Sequence, residues 1–137
     1  MEVHLTNQPG ERRELARKLA AFGLAHQLPA TAVQAADLAL EEHLTNVLRY
    51  GFELEQAANI QVRLAVAAGV FSIEVTDNGR AFNPLTRPEV DTSVPLDEKP
   101  VGGLGIHLIR KFMDELDYRR QDNQNVFTMR KRFSREA

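Results

Sequence analysis

The stretch LALEEHLTNVLRYGF, residues 38–52, carries a helix pattern in which an apolar side and a polar side can both be read. Leu40, Leu44 and Val47 continue a stripe begun by Val33 and Ala36, the spacing of one buried helix face. Pro29 opens this helix, because a proline in the first turn has no hydrogen bond to lose, and Gly51 is its natural end. On the polar side Glu42 and Asn46 are four residues apart, about 40° around the axis, and so stand side by side. Glu41 is about 140° from Asn46 and points elsewhere. A carboxylate beside a carboxamide pairs a proton acceptor with an oxygen ligand for a hard cation such as Mg2+. Taken alone, the pair reads more simply as a solvated helix face.

Outward from this helix the chain alternates between the two periodicities. EVHLT predicts a first strand with Val3 and Leu5 on one side, and residues 9–26 predict a helix with Leu15, Leu19 and Phe22 as its stripe. Downstream, Ile60, Val62, Leu64 and Val66 alternate, AAG turns the chain, and Phe71, Ile73 and Val75 alternate again, which predicts a hairpin. Residues 83–101 show no period and hold Pro84, Pro88, Pro95 and Pro100, so they read as a functional lid or a disordered segment. Leu104, Leu108, Ile109 and Phe112 then give another helix, and LDYRR and NVFTMRKRF a closing pair of strands around QDNQ. The expected fold is an α/β (α+β) two-layer sandwich over residues 1–137, with a mixed, largely antiparallel sheet and helices on one face.

Two further motifs could carry chemistry. In EVTDNGRAF, Asp77 ends a strand at a glycine turn, where its carboxylate could accept a hydrogen bond from an exocyclic amine, and Gly79 would let a flat ring approach the backbone. An ordinary Asp-Asn-Gly turn is the simpler alternative. In VGGLGIHLIRKF, Gly102, Gly103 and Gly105 open a helix, whose unpaired first-turn N–H groups and dipole favour an anion. The cluster is not a P-loop, because no lysine followed by serine or threonine closes it, and no strand leads into it as a dinucleotide fingerprint requires.

Composition narrows the classes. A net charge of −2 argues against a general polyanion binder, and the tail MRKRFSR reads as a solvated strand end rather than a nucleic-acid contact. The absence of cysteine excludes disulfides and thiolate chemistry and favours a reducing compartment. No apolar stretch is long enough to span a bilayer and no signal-type segment is read, so a cytoplasmic location is expected. His4, His26, His43 and His107 are scattered without metal-site spacing and read as surface or packed residues.

Together the phrases LALEEHLTNVLRYGF, VTDNGRAFNP, VGGLGIHLIRKFMDELDYRR and NQNVFTMRKRF resemble the N, G1 and G2 boxes of the GHKL ATPase superfamily, with its Bergerat ATP-binding fold. Within it they are most similar to the anti-sigma-factor serine kinases and their switch-kinase relatives, from about Leu38 onward. The resemblance implies ATP and Mg2+, with Asn46 holding the metal at the phosphates and Glu42 as the base that deprotonates the accepting hydroxyl. Asp77 would receive the adenine amino group with Gly79 beneath the ring, Thr128 would reach adenine through water, and Gly102, Gly103 and Gly105 would surround the phosphates under a lid at about residues 83–101. It also implies a sigma factor and an anti-anti-sigma (STAS-domain) protein as partners, phosphorylation of a serine on the latter, and a homodimer. Ala81 replaces a second G1 glycine found in many members, and Arg49 and Tyr50 replace polar or histidine residues of some relatives. A non-catalytic module that sequesters a partner is the rival reading, and the retention of Glu42 beside Asn46 favours catalysis. A histidine-kinase fragment would need a phosphoacceptor histidine on a dimerisation helix, which is not read here.

Overall fold

The structure, a computed structural model, describes residues 1–53, 57–86 and 103–134. Its elements are β1 (Glu2–Leu5), α1 (Glu11–Ala25), α2 (Ala30–Tyr50), β2 (Ile60–Ala67), β3 (Val70–Asp77), a short 3-10 turn (Pro84–Thr86), α3 (Gly103–Phe112), β4 (Glu115–Gln121) and β5 (Gln124–Arg132). The strands form one sheet in the order β1-β2-β3-β5-β4, and each neighbouring pair is antiparallel. The expected two-layer sandwich and largely antiparallel sheet are present, without a parallel pair among the described strands.

Strand alternation decides which face the helices cover. Val62 and Leu64 of β2, Phe71, Ile73 and Val75 of β3, and Phe127 and Met129 of β5 are all buried and share one face. Leu19 of α1, Leu40 and Leu44 of α2 and Ile109 of α3 close over them in a single core cluster. The other face carries paired polar residues, such as Arg63 opposite Glu2, joined by an ion pair of 3.0 Å. Such exposed pairs contribute at most about 1 kcal/mol, so the apolar face holds the fold.

Local signals set the turns and ends. The β2–β3 turn places Ala68 (φ 51°) and Gly69 (φ 77°) in the left-handed region, and Asp122 (φ 53°) and Asn123 (φ 61°) do the same between β4 and β5. Both are two-residue turns whose twist matches that of the strands they join. Pro29 caps the start of α2, and the Gly51 N–H closes its end on the Val47 carbonyl at 2.8 Å. The tight connection through Met113 and Asp114, with the Asp114 N–H on the Arg130 carbonyl at 2.9 Å, folds α3 back over β4. The first turn of α3 therefore lies toward the sheet end that carries Asp77 and Asn125, and α3 packs against α2.

Candidate functional site

The site is built where α2 ends above the end of β3. Asn46 is 4% exposed although it is a polar residue on a helix, and no hydrogen bond among the described residues ties its carboxamide. Glu42, one turn earlier, is half-buried and likewise makes no ion pair among the described residues. Glu41 points away, as its helical angle requires. Its carboxylate is held by Arg12 of α1 at 2.6 Å, and the same guanidinium bonds the Glu41 carbonyl at 2.9 Å and the Thr45 hydroxyl at 2.6 Å. One of two adjacent glutamates is thus locked between helices while the other stays available. His43, between them and the core, is 2% exposed and stacks on Phe127 with ring centroids 4.3 Å apart. Neither of its ring nitrogens has a hydrogen-bond partner among the described residues, and burial pushes its pKa down to about 3, so it is a packed neutral histidine.

Asp77 closes β3 and is 2% exposed. Its Oδ1 accepts hydrogen bonds from the Gly79 N–H at 2.9 Å and from the Asn125 Nδ2 at 3.0 Å. Burial raises its carboxyl above the usual range, against the pull of these two bonds and of the nearby Arg120 charge. Gly79 sits against the last turn of α2: a Cβ added there would lie 2.6 Å from the Gly51 carbonyl oxygen and 3.0 Å from its carbon. The Arg80 N–H bonds that same oxygen at 2.9 Å, and Arg120 of β4 bonds the Gly79 carbonyl at 2.8 Å. The glycine is therefore required by the protein's own backbone packing, whatever lies against it. Asn46, five residues before Gly51, lies about 7.5 Å back along α2 from this junction.

The residues expected from sequence divide between those brought together and those not. Asp77 and Gly79 meet at the α2–β3 junction, and Asn46 and Glu42 follow further back along the same helix ridge. Gly103 and Gly105 lie in the first turn of α3, at the same end of the molecule, where main-chain N–H groups have no intrahelical partner. Gly102 and residues 87–101 of the segment expected to form a lid (about 83–101) lie outside the described residues. Thr128, which is buried, lies apart from them. It pairs with Glu74 on β3 and Asp117 on β4, and strand alternation puts those positions on the face away from the helices. The residue opposite Asp77 is Asn125, three positions earlier. Sequence reasoning missed Asn125, although period-two counting back from Phe127 and Met129 would have placed it on the inner face.

The donor set can be tested against Mg2+. Among the described residues no group of three or more His, Cys, Asp or Glu side chains could cage a metal. One carboxamide oxygen from Asn46 suits Mg2+ all the same, because this ion keeps several waters and takes its remaining ligands from substrate phosphates.

A half-buried acid and a buried amide on one ridge, a buried acid at a strand end and a glycine-led helix are thus carried on an α+β sandwich. The chain belongs to the histidine kinase-like ATPase domain family, which matches residues 5–131. It is 32% identical over 92 residues to the serine/threonine-protein kinase BtrW of Bordetella bronchiseptica, covering 67% of this chain and 65% of that protein. It is 28% identical over 89 residues to the serine-protein kinase RsbW of Listeria monocytogenes (62% and 57%), and 29% over 108 residues to RsbW of Bacillus thuringiensis (76% and 66%). Each match spans less than two thirds of the relative. The histidine kinase domain from the Erythrobacter litoralis EL346 blue-light activated histidine kinase superposes with a TM-score of 0.55 at 18% identity, covering 89% of this chain and 60% of that one, and shows the same fold. No helix of the described residues is long and apolar enough to cross a membrane.

Proposed function

We propose that the protein is an ATP- and Mg2+-dependent serine/threonine kinase of the anti-sigma regulatory type. Its partners would be a sigma factor and a STAS-domain anti-anti-sigma protein, on which it phosphorylates a serine. The observation that carries this reading is the α2 ridge, where Asn46 is buried without a hydrogen-bond partner among the described residues, beside a Glu42 that Arg12 leaves alone. A module that only held nucleotide has no use for a base there. The family, and relatives that bear the names of serine-protein kinases, support the same assignment.

In this mechanism Asp77 accepts a hydrogen bond from the adenine amine, and the first turn of α3 offers its N–H groups to phosphate oxygens. Asn46 would hold Mg2+, which neutralises charge on the transferring phosphate. Glu42 takes the proton of the acceptor hydroxyl as its oxygen attacks the γ-phosphorus of ATP, the bond from that phosphorus to the β,γ-bridging oxygen breaks, and ADP leaves. Positioning and charge neutralisation supply most of the acceleration in phosphoryl transfer, which fits a site whose candidate base among the described residues is Glu42. Residues 83–101 would act as a lid in one domain with the rest of the chain, working in the cytoplasm as a homodimer. The same ridge also serves a switch kinase acting on a stress-signalling STAS protein, a role set by partner surfaces.

The test is transfer from labelled Mg·ATP to STAS proteins, comparing the parent with Glu42→Gln. The variant should bind ATP normally and turn over roughly 10² to 10⁴ times more slowly. Unchanged turnover would remove Glu42 from the chemistry, and loss of ATP binding would make it a structural residue.

A further inference from the structure

Asn125 is 4% exposed and uses every hydrogen-bonding position of its side chain. Its Nδ2 donates to Asp77 Oδ1 at 3.0 Å and to the Arg80 carbonyl at 2.8 Å. Its Oδ1 accepts from the Tyr118 hydroxyl at 2.6 Å and from the Phe82 N–H at 3.2 Å. The orientation of the amide is unambiguous. Turned over, its oxygen would face a carboxylate and a carbonyl, both acceptors, and its NH2 would face the Phe82 N–H, a donor. The side chain is therefore clamped from β4 by Tyr118 and clamps in turn two things: the carboxylate at the end of β3 and the backbone of residues 80–82 that leads away from it.

This clamp divides the work of the Asp77 carboxylate. Oδ1 is saturated by Asn125 and by Gly79, whereas no hydrogen bond among the described residues reaches Oδ2. We propose that Asn125 is the positioning residue of the nucleobase site: by fixing Oδ1 and residues 80–82 together, it aims Oδ2 at an exocyclic amine and sets the preference for an adenine nucleotide. The proposal rests on the ATP-site reading above. Asn125 touches the acid rather than the base, so its removal frees the carboxylate to rotate. It also removes the bonds that Asn125 makes to the Arg80 carbonyl and the Phe82 N–H.

Base selectivity separates this role from a merely structural one. Calorimetric titration of the full chain would compare Mg·ATP with the triphosphate of purine riboside, which lacks only the 6-amino group. The parent should prefer ATP by roughly 10- to 100-fold, the value of one hydrogen bond to a charged acceptor. In Asn125→Ala the preference should shrink to about threefold or less, because Oδ2 is no longer held on the amine. Tyr118→Phe removes one of the two bonds on Asn125 Oδ1 and should lower the ratio by a factor of about 2 to 5. If Asn125→Ala binds both nucleotides more weakly by the same factor, with the ratio kept, the proposal is overturned. If Asn125→Ala does not fold, an unchanged ratio in Tyr118→Phe overturns it equally. A parent that binds both nucleotides alike would instead sink the adenine role of Asp77, a separate outcome visible before any variant is made.

Discussion

Replacing His43 by leucine should change how the protein responds to acid. The imidazole is enclosed, lies against Phe127 and has no hydrogen-bond partner on either nitrogen among the described residues. Burial holds its pKa at about 3 in the folded protein, against an ordinary value of 6.5. Above pH 6.5 both folded and unfolded chains carry a neutral ring, and the group adds nothing to the pH dependence. Below it the unfolded chain takes a proton that the folded protein refuses, so stability falls by about 1.4 kcal/mol per pH unit until the folded value is reached. At about pH 5 the loss is about 2 kcal/mol. Asp77 titrates in the opposite sense, since its raised folded value means that protonation favours the folded state as pH falls, but it is common to both proteins and drops out of their difference. Urea denaturation of the parent and of His43→Leu at about pH 7.5 and about pH 5 reads the effect. The variant should be close to the parent at the higher pH, because leucine leaves no unpaired nitrogen in place of the lost ring stack. At the lower pH it should be more stable than the parent by about 2 kcal/mol relative to that baseline. Parallel losses in the two proteins would refute the reasoning and show that His43 finds a proton partner in the fold.

Three further outcomes follow from the geometry. Gly79→Ala places a methyl 2.6 Å from the Gly51 carbonyl oxygen, where backbone meets backbone, and should lower stability by about 1 to 3 kcal/mol in chemical denaturation while weakening nucleotide binding. An alanine variant as stable as the parent would mean that the α2–β3 junction yields easily. Thr128→Val should leave ATP affinity within about twofold, because its side chain lies on the sheet face away from Asp77, and a loss of tenfold or more in calorimetry would restore its assignment to the nucleotide site. Asn46→Ala should lower phosphotransfer by at least about 10²-fold and weaken Mg·ATP binding, and near-normal transfer would exclude it as the metal ligand.

Much of the site was legible because its parts are local. The Glu42 and Asn46 ridge follows from helical spacing alone, and the separate direction of Glu41 is borne out by its pairing with Arg12. Strand parity separates Thr128 from Asn125: residues 125, 127 and 129 share the inner face, and Thr128 lies on the other. Gly79 was legible as a position that needs glycine, but its reason was not. The close contact is with Gly51, twenty-eight residues earlier, and no local pattern announces it.

The sequence by itself determined the order of strands and helices, the two turns with left-handed residues and the polar ridge of α2, since each depends on neighbours within one or two turns of chain. Only the tertiary structure decided what faces Asp77. Asn125 lies forty-eight residues away and meets it because β5 enters the sheet between β3 and β4, so that one register fixes the carboxylate, its amide and the Tyr118 behind them. Strand register is set by the packing of the whole inner face, and no single stretch of sequence contains it.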